Sequence, residues 1–379
     1  MSMPVRTLLR ASDGERVRAL AAALLVPTLV DEQKNKSDLI SLLAEKRALL
    51  MVGVGSSAFV DYPIWGQLLA ELRQEFAPGL VLTDTASNTT LADQIKKQAD
   101  TDNRIQDYYK FLERTFQPKG TGVSHHDFHS LLVQLGFSGV VTLNYDCVME
   151  SAMWEVASAA GHHGMPEAID LCSRSRPYRV FDFLRSLGHA DCLRCVLHLH
   201  GCYDNPQGII LTRQDYRVAY GELREKSDAI SEDGTSARVL AALSSAPLDT
   251  IHRKVIWALL AIHPVVFVGF GMEDEFFLDT LKIVQQDFAL SSDRVHFALV
   301  SYSDDHEKGD VTDELRRRGV QPVFYFLPET KTPSGNPDHR GLVALVSELA
   351  RSVDVPTRSP SIDDLNKKMW SYVRDNPTR

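Results

Sequence analysis

The segment ALLMVGVGSSA, Ala48–Ala58, decides the fold that the sequence predicts. Its first six residues are a short apolar run that ends in glycine, which is typical of a buried strand followed by a turn. Four further runs are of the same kind: FSGVVTL at Phe137–Leu143, PVVFVG at Pro264–Gly269, VHFALV at Val295–Val300 and QPVFYF at Gln321–Phe326. Short apolar strands separated by helical patterns indicate a parallel sheet that is covered on both faces.

Residues with helical periodicity lie between most of these runs. They are Ile64–Phe76, Asp93–Phe116, Asp127–Leu135, Tyr145–Ala160, Asp274–Phe288, Asp304–Arg318 and Gly341–Val353. The alternation predicts an α/β fold with a doubly wound, Rossmann-like parallel sheet. Three stretches show no obvious strand, and we interpret them as helical insertions that form a smaller subdomain. They lie near residues 80–122, 165–191 and 221–251.

The predicted catalytic domain covers residues 46–355. An N-terminal helical segment at 1–45 precedes it, and a linker with a C-terminal helix at 356–379 follows it. The apolar run Ala19–Val30 has mixed charges before it and no small-residue cleavage site after it. We therefore interpret this run as an amphipathic helix of a cytoplasmic protein and not as a signal peptide.

Composition excludes several classes of protein. The formal net charge of -9 argues against a general nucleic-acid surface. No apolar stretch approaches the ~20 residues that a membrane span needs. The five cysteines include a single C-x-x-C, Cys192 and Cys195, which could form a zinc site with Cys202 and a nearby histidine. Because a second such pair is missing, buried free thiols are the preferred interpretation and no metal is predicted.

Two motifs follow predicted strands in the first half of the chain. In GVGSSA, Gly53 and Gly55 would let the backbone approach a pyrophosphate, although an ordinary strand-to-helix turn explains them equally well. In TLNYD, Asn144 can hydrogen-bond a ribose hydroxyl or position a water molecule. Taken alone, the simpler interpretation is that Asn144 or Asp146 caps the next helix.

Two more motifs follow later strands. In VLHLHG, alternation places His198 and His200 on one face of a strand. We interpret His198 as a core histidine and His200 as a general base at the strand end, beside a glycine that leaves room for a ligand. In VGFGMED, Gly269 and Gly271 could approach a second ribose or diphosphate.

The four motifs together, in this order, resemble the sirtuin-like (silent information regulator type) family. The corresponding sirtuin pieces read G-A-G-x-S, T-Q-N-I-D, H-G and G-T-S, and the resemblance covers roughly Leu49–Phe326. The stretches Gly53–Leu69, His200–Tyr216 and Phe267–Phe277 look like the bacterial anti-phage branch, which lacks the sirtuin zinc ribbon. Ser56 and Asp61 depart from the pattern of the flexible cofactor loop.

The resemblance implies that NAD is the substrate and that the bond between nicotinamide and ribose is broken. It implies that Asn144 holds the ribose or the attacking water and that His200 is the general base. The implied binding residues are Gly53, Gly55, Ser56 and Ser57 at the diphosphate, with Gly269 and Gly271 near the adenosine-side ribose. Asp146 is expected to order the turn that carries Asn144.

Several functions fit this pattern. The leading hypothesis is an NAD+ glycohydrolase that depletes cellular NAD in anti-phage defence. The alternatives are an NAD-dependent protein deacylase or ADP-ribosyltransferase, or a non-catalytic nucleotide-binding sensor. We expect a homo-oligomer, which could act with a helicase-type ATPase or a prokaryotic Argonaute. A histidine base also predicts loss of activity in acid, near pH ~6.5 unless the pocket shifts its pKa.

Overall fold

A computed structural model gives the structure of most of the chain. It describes residues 31–80, 87–118, 125–161, 164–173, 178–189, 194–221, 250–271, 274–287, 296–329 and 337–353. None of the helices in these ranges is long and apolar enough to cross a membrane.

Seven strands form one parallel sheet. They are β1 Leu49–Val52, β2 Val140–Thr142, β3 Glu167–Asp170, β4 Cys195–His198, β5 Val265–Val268, β6 His296–Tyr302 and β7 Val320–Phe326. Their order in the sheet is β3-β4-β2-β1-β5-β6-β7, and every described pairing is parallel. The chain thus winds outward from β1 in both directions, which confirms the predicted doubly wound fold.

Helices flank the sheet on both sides. Helix α1 covers residues 31–44 of the described part of the chain. The others are α2 Val54–Ser57, α3 Trp65–Phe76, α4 Asn88–Thr101, α5 Ile105–Phe116, α6 Asp127–Gln134, α7 Val148–Ala159, α8 Tyr178–Ser186, α9 Arg213–Tyr220, α10 Ile251–Ile262, α11 Glu275–Asp287, α12 Asp305–Arg317 and α13 Arg340–Ser352.

The strands are apolar on both faces because each face has its own hydrophobic core. In β1, Leu50 and Val52 belong to the cluster that includes residues of α6 and α13. Leu49 and Met51 belong to the opposite cluster, with residues of α10 and α11. Alternate residues of one strand thus enter different cores, which explains why the strands read as continuous apolar runs.

Helices α3, α4 and α5 form a third hydrophobic cluster beside the sheet. Helices α4 and α5 fall in the predicted insertion near residues 80–122. The prediction of one helix over Asp93–Phe116 was wrong, because Asn103 takes a left-handed φ of 58° and ends the first helix. The first helix also begins earlier, after Ser87, whose hydroxyl accepts from the Thr90 N–H.

The segment near 165–191 needs a correction. It was interpreted as an insertion above the sheet, but its residues Glu167–Asp170 are strand β3, which pairs with β4. As an edge strand, β3 is less buried than the central strands and lacks their apolar run. Most of the predicted insertion near 221–251, the run Ala19–Val30 and the tail 356–379 lie outside the described residues.

Candidate active site

Two glycine turns meet where the chain changes direction in the sheet. Gly53 follows β1 and Gly269 follows β5, its neighbour. The Gly55 N–H donates to the Gly269 carbonyl at 2.9 Å. A Cβ atom added to Gly53 would lie 2.5 Å from that same oxygen, so only glycine allows this approach. Open α/β sheets bind ligands at this switch point, on the carboxyl edge of the strands.

Asn144 is tied to this glycine turn by its side chain. Its Nδ2 donates to the Gly53 carbonyl at 3.1 Å and to Ser57 Oγ at 2.8 Å. Its backbone N–H donates to Thr142 Oγ1, and its carbonyl lies 3.0 Å from Nδ1 of His198. Asn144 is only 6% exposed, so strands and turns together fix its position.

Several hydrogen-bond donors of the glycine turn already bind other groups of the protein. The Ser56 N–H and hydroxyl both donate to the Gly53 carbonyl. The Gly53 N–H donates to the Val268 carbonyl. A diphosphate could therefore use these donors only after the turn rearranges. Gly271 is exposed.

Asp146 lies just before helix α7 and binds its first N–H. Its Oδ1 accepts from the Val148 N–H at 3.1 Å, as expected of a residue that orders the turn after Asn144. Burial raises its pKa to about 6, although this N–H, Ser57 and His198 favour the carboxylate.

His200 lies beyond its strand, contrary to the sequence prediction. Strand β4 ends at His198, and the alternation argument for a shared face therefore fails. Gly201 has a φ of 95°, and a Cβ there would lie 2.9 Å from the Gly208 carbonyl oxygen. The glycine is thus required by close backbone packing and does not leave room for a ligand.

Aromatic residues of α9 and a carboxylate enclose the His200 ring. Its Nε2 lies 2.6 Å from the Tyr220 hydroxyl and 3.7 Å from Asp274 Oδ2. The Tyr216 ring meets the imidazole edge-on, and the Tyr216 hydroxyl donates to Asp274 at 3.0 Å. His200 is 3% exposed, and burial lowers its pKa to about 3. The imidazole is therefore neutral at physiological pH, and the expected titration near 6.5 does not apply.

His198 is a core histidine, as predicted. It is fully buried, and its Nε2 lies 2.7 Å from Glu150 Oε1. Burial opposes its protonation, but the Glu150 carboxylate outweighs this and raises the His198 pKa to about 10. The resulting ion pair lies behind Asn144 and holds its carbonyl.

Sequence reasoning missed the residues that surround the two candidate catalytic side chains. Tyr216 and Asp274 stand inside quoted motifs, but no pattern linked them to His200. Tyr220 and His129 stand outside the quoted motifs, and no pattern indicated them either. His129 Nε2 lies 3.1 Å from the Ser56 carbonyl. These contacts arise between elements that are far apart in the chain, so local periodicity does not reveal them.

The candidate catalytic residues leave adjacent strands at matching positions. Thr142 of β2 pairs with His198 of β4, and Asn144 and His200 follow two residues later. The family model of the SIR2-like domain matches residues 138–323, which includes Asn144, His200 and Gly269 but not Gly53. No curated protein matches the chain. Residues 138–323 therefore match a SIR2-like domain, which confirms the sirtuin-like resemblance for the three motifs within this range.

Proposed function

We propose that the protein is an NAD+ glycohydrolase that cleaves the nicotinamide–ribose bond to give nicotinamide and ADP-ribose. The observation that carries the proposal is the shared position of Asn144 and His200. They leave neighbouring strands in register, beside the glycine turns at the switch point of a SIR2-like domain. A SIR2-like domain supports an NAD-dependent reaction, and this pair supports cleavage rather than mere binding.

The chemistry needs few protein groups. Nicotinamide leaves as a neutral molecule, so no general acid has to protonate it, and water adds to the ribose carbon and loses one proton. Because Nδ2 of Asn144 is held by Gly53 and Ser57, the amide oxygen is the atom that would accept from a ribose hydroxyl or the water. The neutral His200 ring would take the proton.

The described structure fits a resting state of such an enzyme. The Tyr220 hydroxyl is hydrogen-bonded to Nε2 of His200, so this nitrogen is not available to a substrate. Asn144 and His200 are both nearly fully buried. A substrate therefore reaches them only if α9 or its side chains move. An unrestrained NADase with an ordinary turnover of ~10 per second would drain a cell of NAD. A closed resting state accords with a role as an anti-phage effector that acts only on a trigger.

The test is to incubate the full-length protein with NAD+ and measure nicotinamide and ADP-ribose. We expect both products in equal amounts, with the NAD+ analogue that lacks a cleavable pyridinium bond as control. Nicotinamide released only in the presence of an acylated peptide would establish the deacylase instead. ADP-ribose found on protein would establish the transferase. Binding of NAD+ without formation of products, with every trigger tried, would support the non-catalytic nucleotide-binding sensor.

We further propose that assembly controls the activity. The tail at 356–379 lies outside the described residues, but its sequence carries Met369, Trp370 and Tyr372, and apolar side chains of this kind favour an interface. Deleting residues from Pro356 onward should change the oligomeric state, measured by native mass, or the basal rate of NAD+ cleavage. Co-expression with a helicase-type ATPase or a prokaryotic Argonaute tests whether a partner raises that rate. The same oligomeric state, rate and activation in both proteins would show that the tail has no role.

A further inference from the structure

Two cysteines and a histidine form a buried cluster next to the catalytic turns. Cys147, His198 and Cys202 each offer a ligand atom, and these atoms lie within 4.8 Å of one another. His198 and Cys202 are fully buried, and Cys147 is half-buried. The three residues come from the start of α7, the end of β4 and the turn after His200. No pattern along the chain brings them together.

The spacing of the two sulfur atoms suits a metal ion. Cys147 Sγ and Cys202 Sγ are 3.8 Å apart. Two thiolates on a tetrahedral zinc ion, with Zn–S bonds of ~2.3 Å, are also about 3.8 Å apart. A disulfide would require the sulfurs to approach to ~2.05 Å. The two sulfurs, which are within hydrogen-bond distance of each other, are therefore also spaced for an ion between them.

The surroundings of His198 also suit a metal site. Glu150 accepts from the ring at Nε2, and a carboxylate behind a histidine is common where histidine binds zinc. Glu150 is 3% exposed, and its second oxygen, Oε2, has no hydrogen-bond partner in the described structure. A buried carboxylate with an unused oxygen favours a cation nearby.

We propose that Cys147, His198 and Cys202 bind a structural Zn²⁺ ion. Thiolate and imidazole ligands together favour zinc over calcium or magnesium, which prefer oxygen. Because Nε2 of His198 donates to Glu150, the ion would bind Nδ1 and replace its contact with the Asn144 carbonyl. Binding thus displaces the two thiol protons and the Nδ1 proton, so affinity should fall in acid. The half-buried Cys147 gives the ion a path from solvent.

This site differs from the one weighed in the sequence, which used Cys192 and Cys195. The expectation of no metal depended on counting C-x-x-C pairs, and it did not consider a cluster that only the fold assembles. The site is also not the four-cysteine ribbon of the sirtuins, so zinc here would not favour a deacylase. It would join the turn that carries Asn144 to the turn that carries His200.

The experiment measures metal in the full-length protein after growth with zinc, removal of loose metal on a chelating resin, and gel filtration. We expect about one zinc per chain. Cys147→Ser and Cys202→Ser should lose most of it, whereas the matched controls Cys172→Ser and Cys195→Ser should keep it. Zinc well below one per chain in the wild type, or equal loss in all four variants, would overturn the proposal.

A second test uses the wild-type protein, so it does not depend on whether the variants fold. Zinc-loaded protein should resist thiol alkylation at Cys147 and Cys202, and chelation should expose both, as mapped by mass spectrometry. Replacement by Co²⁺ should give sulfur-to-metal charge-transfer absorption. A Cys147–Cys202 disulfide in protein isolated without zinc, or alkylation unaffected by chelation, would refute the site. Neither measurement depends on NAD+ cleavage.

Discussion

Asn144 and His200 follow neighbouring strands, but the protein holds them in different ways. Asn144 is bonded to the backbone of the glycine turn, to Ser57 and to its own strand. His200 is enclosed by side chains of helices, among them Tyr220 and Asp274. The sheet therefore fixes the first residue, whereas the second depends on how the helices pack.

The difference shows where control of the site can act. Helix α9, which carries Tyr216 and Tyr220, is tied to α4 of the helical cluster by an ion pair between Lys96 and Asp215 at 3.0 Å. A shift of that cluster would move α9 and uncover His200, while Asn144 would stay in place. The contacts of Asn144 with the glycine turn, here called the sheet side, thus supply a fixed geometry. The contacts of His200 with α9 and Asp274, here called the helix side, supply the part that can move.

The largest expected effect comes from removing either candidate catalytic side chain. His200→Ala and Asn144→Ala should each reduce nicotinamide release about 10²- to 10⁴-fold, the range of a lost general base. The folds should survive, but Asn144→Ala should cost more stability, because the buried Ser57 hydroxyl loses the amide donor and the Gly53 carbonyl loses one of its three donors. Rates and melting curves of both variants check this. Activity retained by either variant would remove that residue from the mechanism.

The next effect probes the rigidity of the sheet side. Gly53→Ala places a methyl group against the Gly269 carbonyl, and we expect a loss of about 1–3 kcal/mol in the free energy of unfolding. Gly66→Ala in α3 is the matched control, since nothing lies within 4 Å of its new Cβ. That substitution should stabilise by roughly 0.5 kcal/mol. Equal stability of the two variants in denaturant titrations would show that the turns are not in tight contact.

A smaller effect tests the helix side. Tyr220→Phe removes the hydroxyl that occupies Nε2 of His200 and should free the base, which raises the basal rate of NAD+ cleavage up to about tenfold, the worth of one hydrogen bond. Tyr216→Phe is the control, because its hydroxyl bonds Asp274 instead. The measurement is the steady-state rate of each variant at saturating NAD+, compared with that of the wild type. A large loss of activity in Tyr220→Phe would make Tyr220 part of the machinery rather than a restraint.

The smallest expected effect concerns the pH dependence of kcat/KM, to which His200 should not contribute. Burial lowers the pKa of His200 to about 3, so the neutral base persists far below the usual value of ~6.5. The groups that face the ring are Asp274, Tyr216, Tyr220 and His252. The proposed zinc ion would replace three protons and so lower the charge nearby by one. We expect His200 to add no titration to kcat/KM between about pH 8 and pH 5, where Asp146, whose pKa is about 6, is a nearby group that does titrate. A fall with a midpoint near 6.5 that persists in Asp146→Asn would show that His200 is solvated during catalysis.

The sequence predicted the central strands because each is apolar on both faces. It also placed the candidate site residues at the strand ends, since a parallel sheet gathers its carboxyl ends at one edge. Strand β3 was missed because its residues are half-exposed and carry Glu167 and Asp170. The end of β4 was misplaced because Leu199 and His200 continue its alternating pattern beyond the last strand residue.

The surroundings of the site could not be predicted in the same way. Tyr220 reaches His200 across 20 residues, and Cys147 reaches Cys202 across 55. Contacts of this kind depend on the packing of helices, for which local spacing gives no signal. His200 therefore looked like an accessible base in the sequence, although the fold buries it.

Strand β3 has a consequence for how copies of the protein could join. An edge strand with unpaired backbone groups is a template on which another chain can continue a sheet. Here the strand has only four residues, and its first and last are Glu167 and Asp170. Arg179 pairs with Glu167, and Asn205 donates to Asp170 at 2.7 Å, so both ends are covered by side chains of the same molecule. Within the part of the chain that the structure describes, this short and flanked edge therefore disfavours growth of a filament by strand addition.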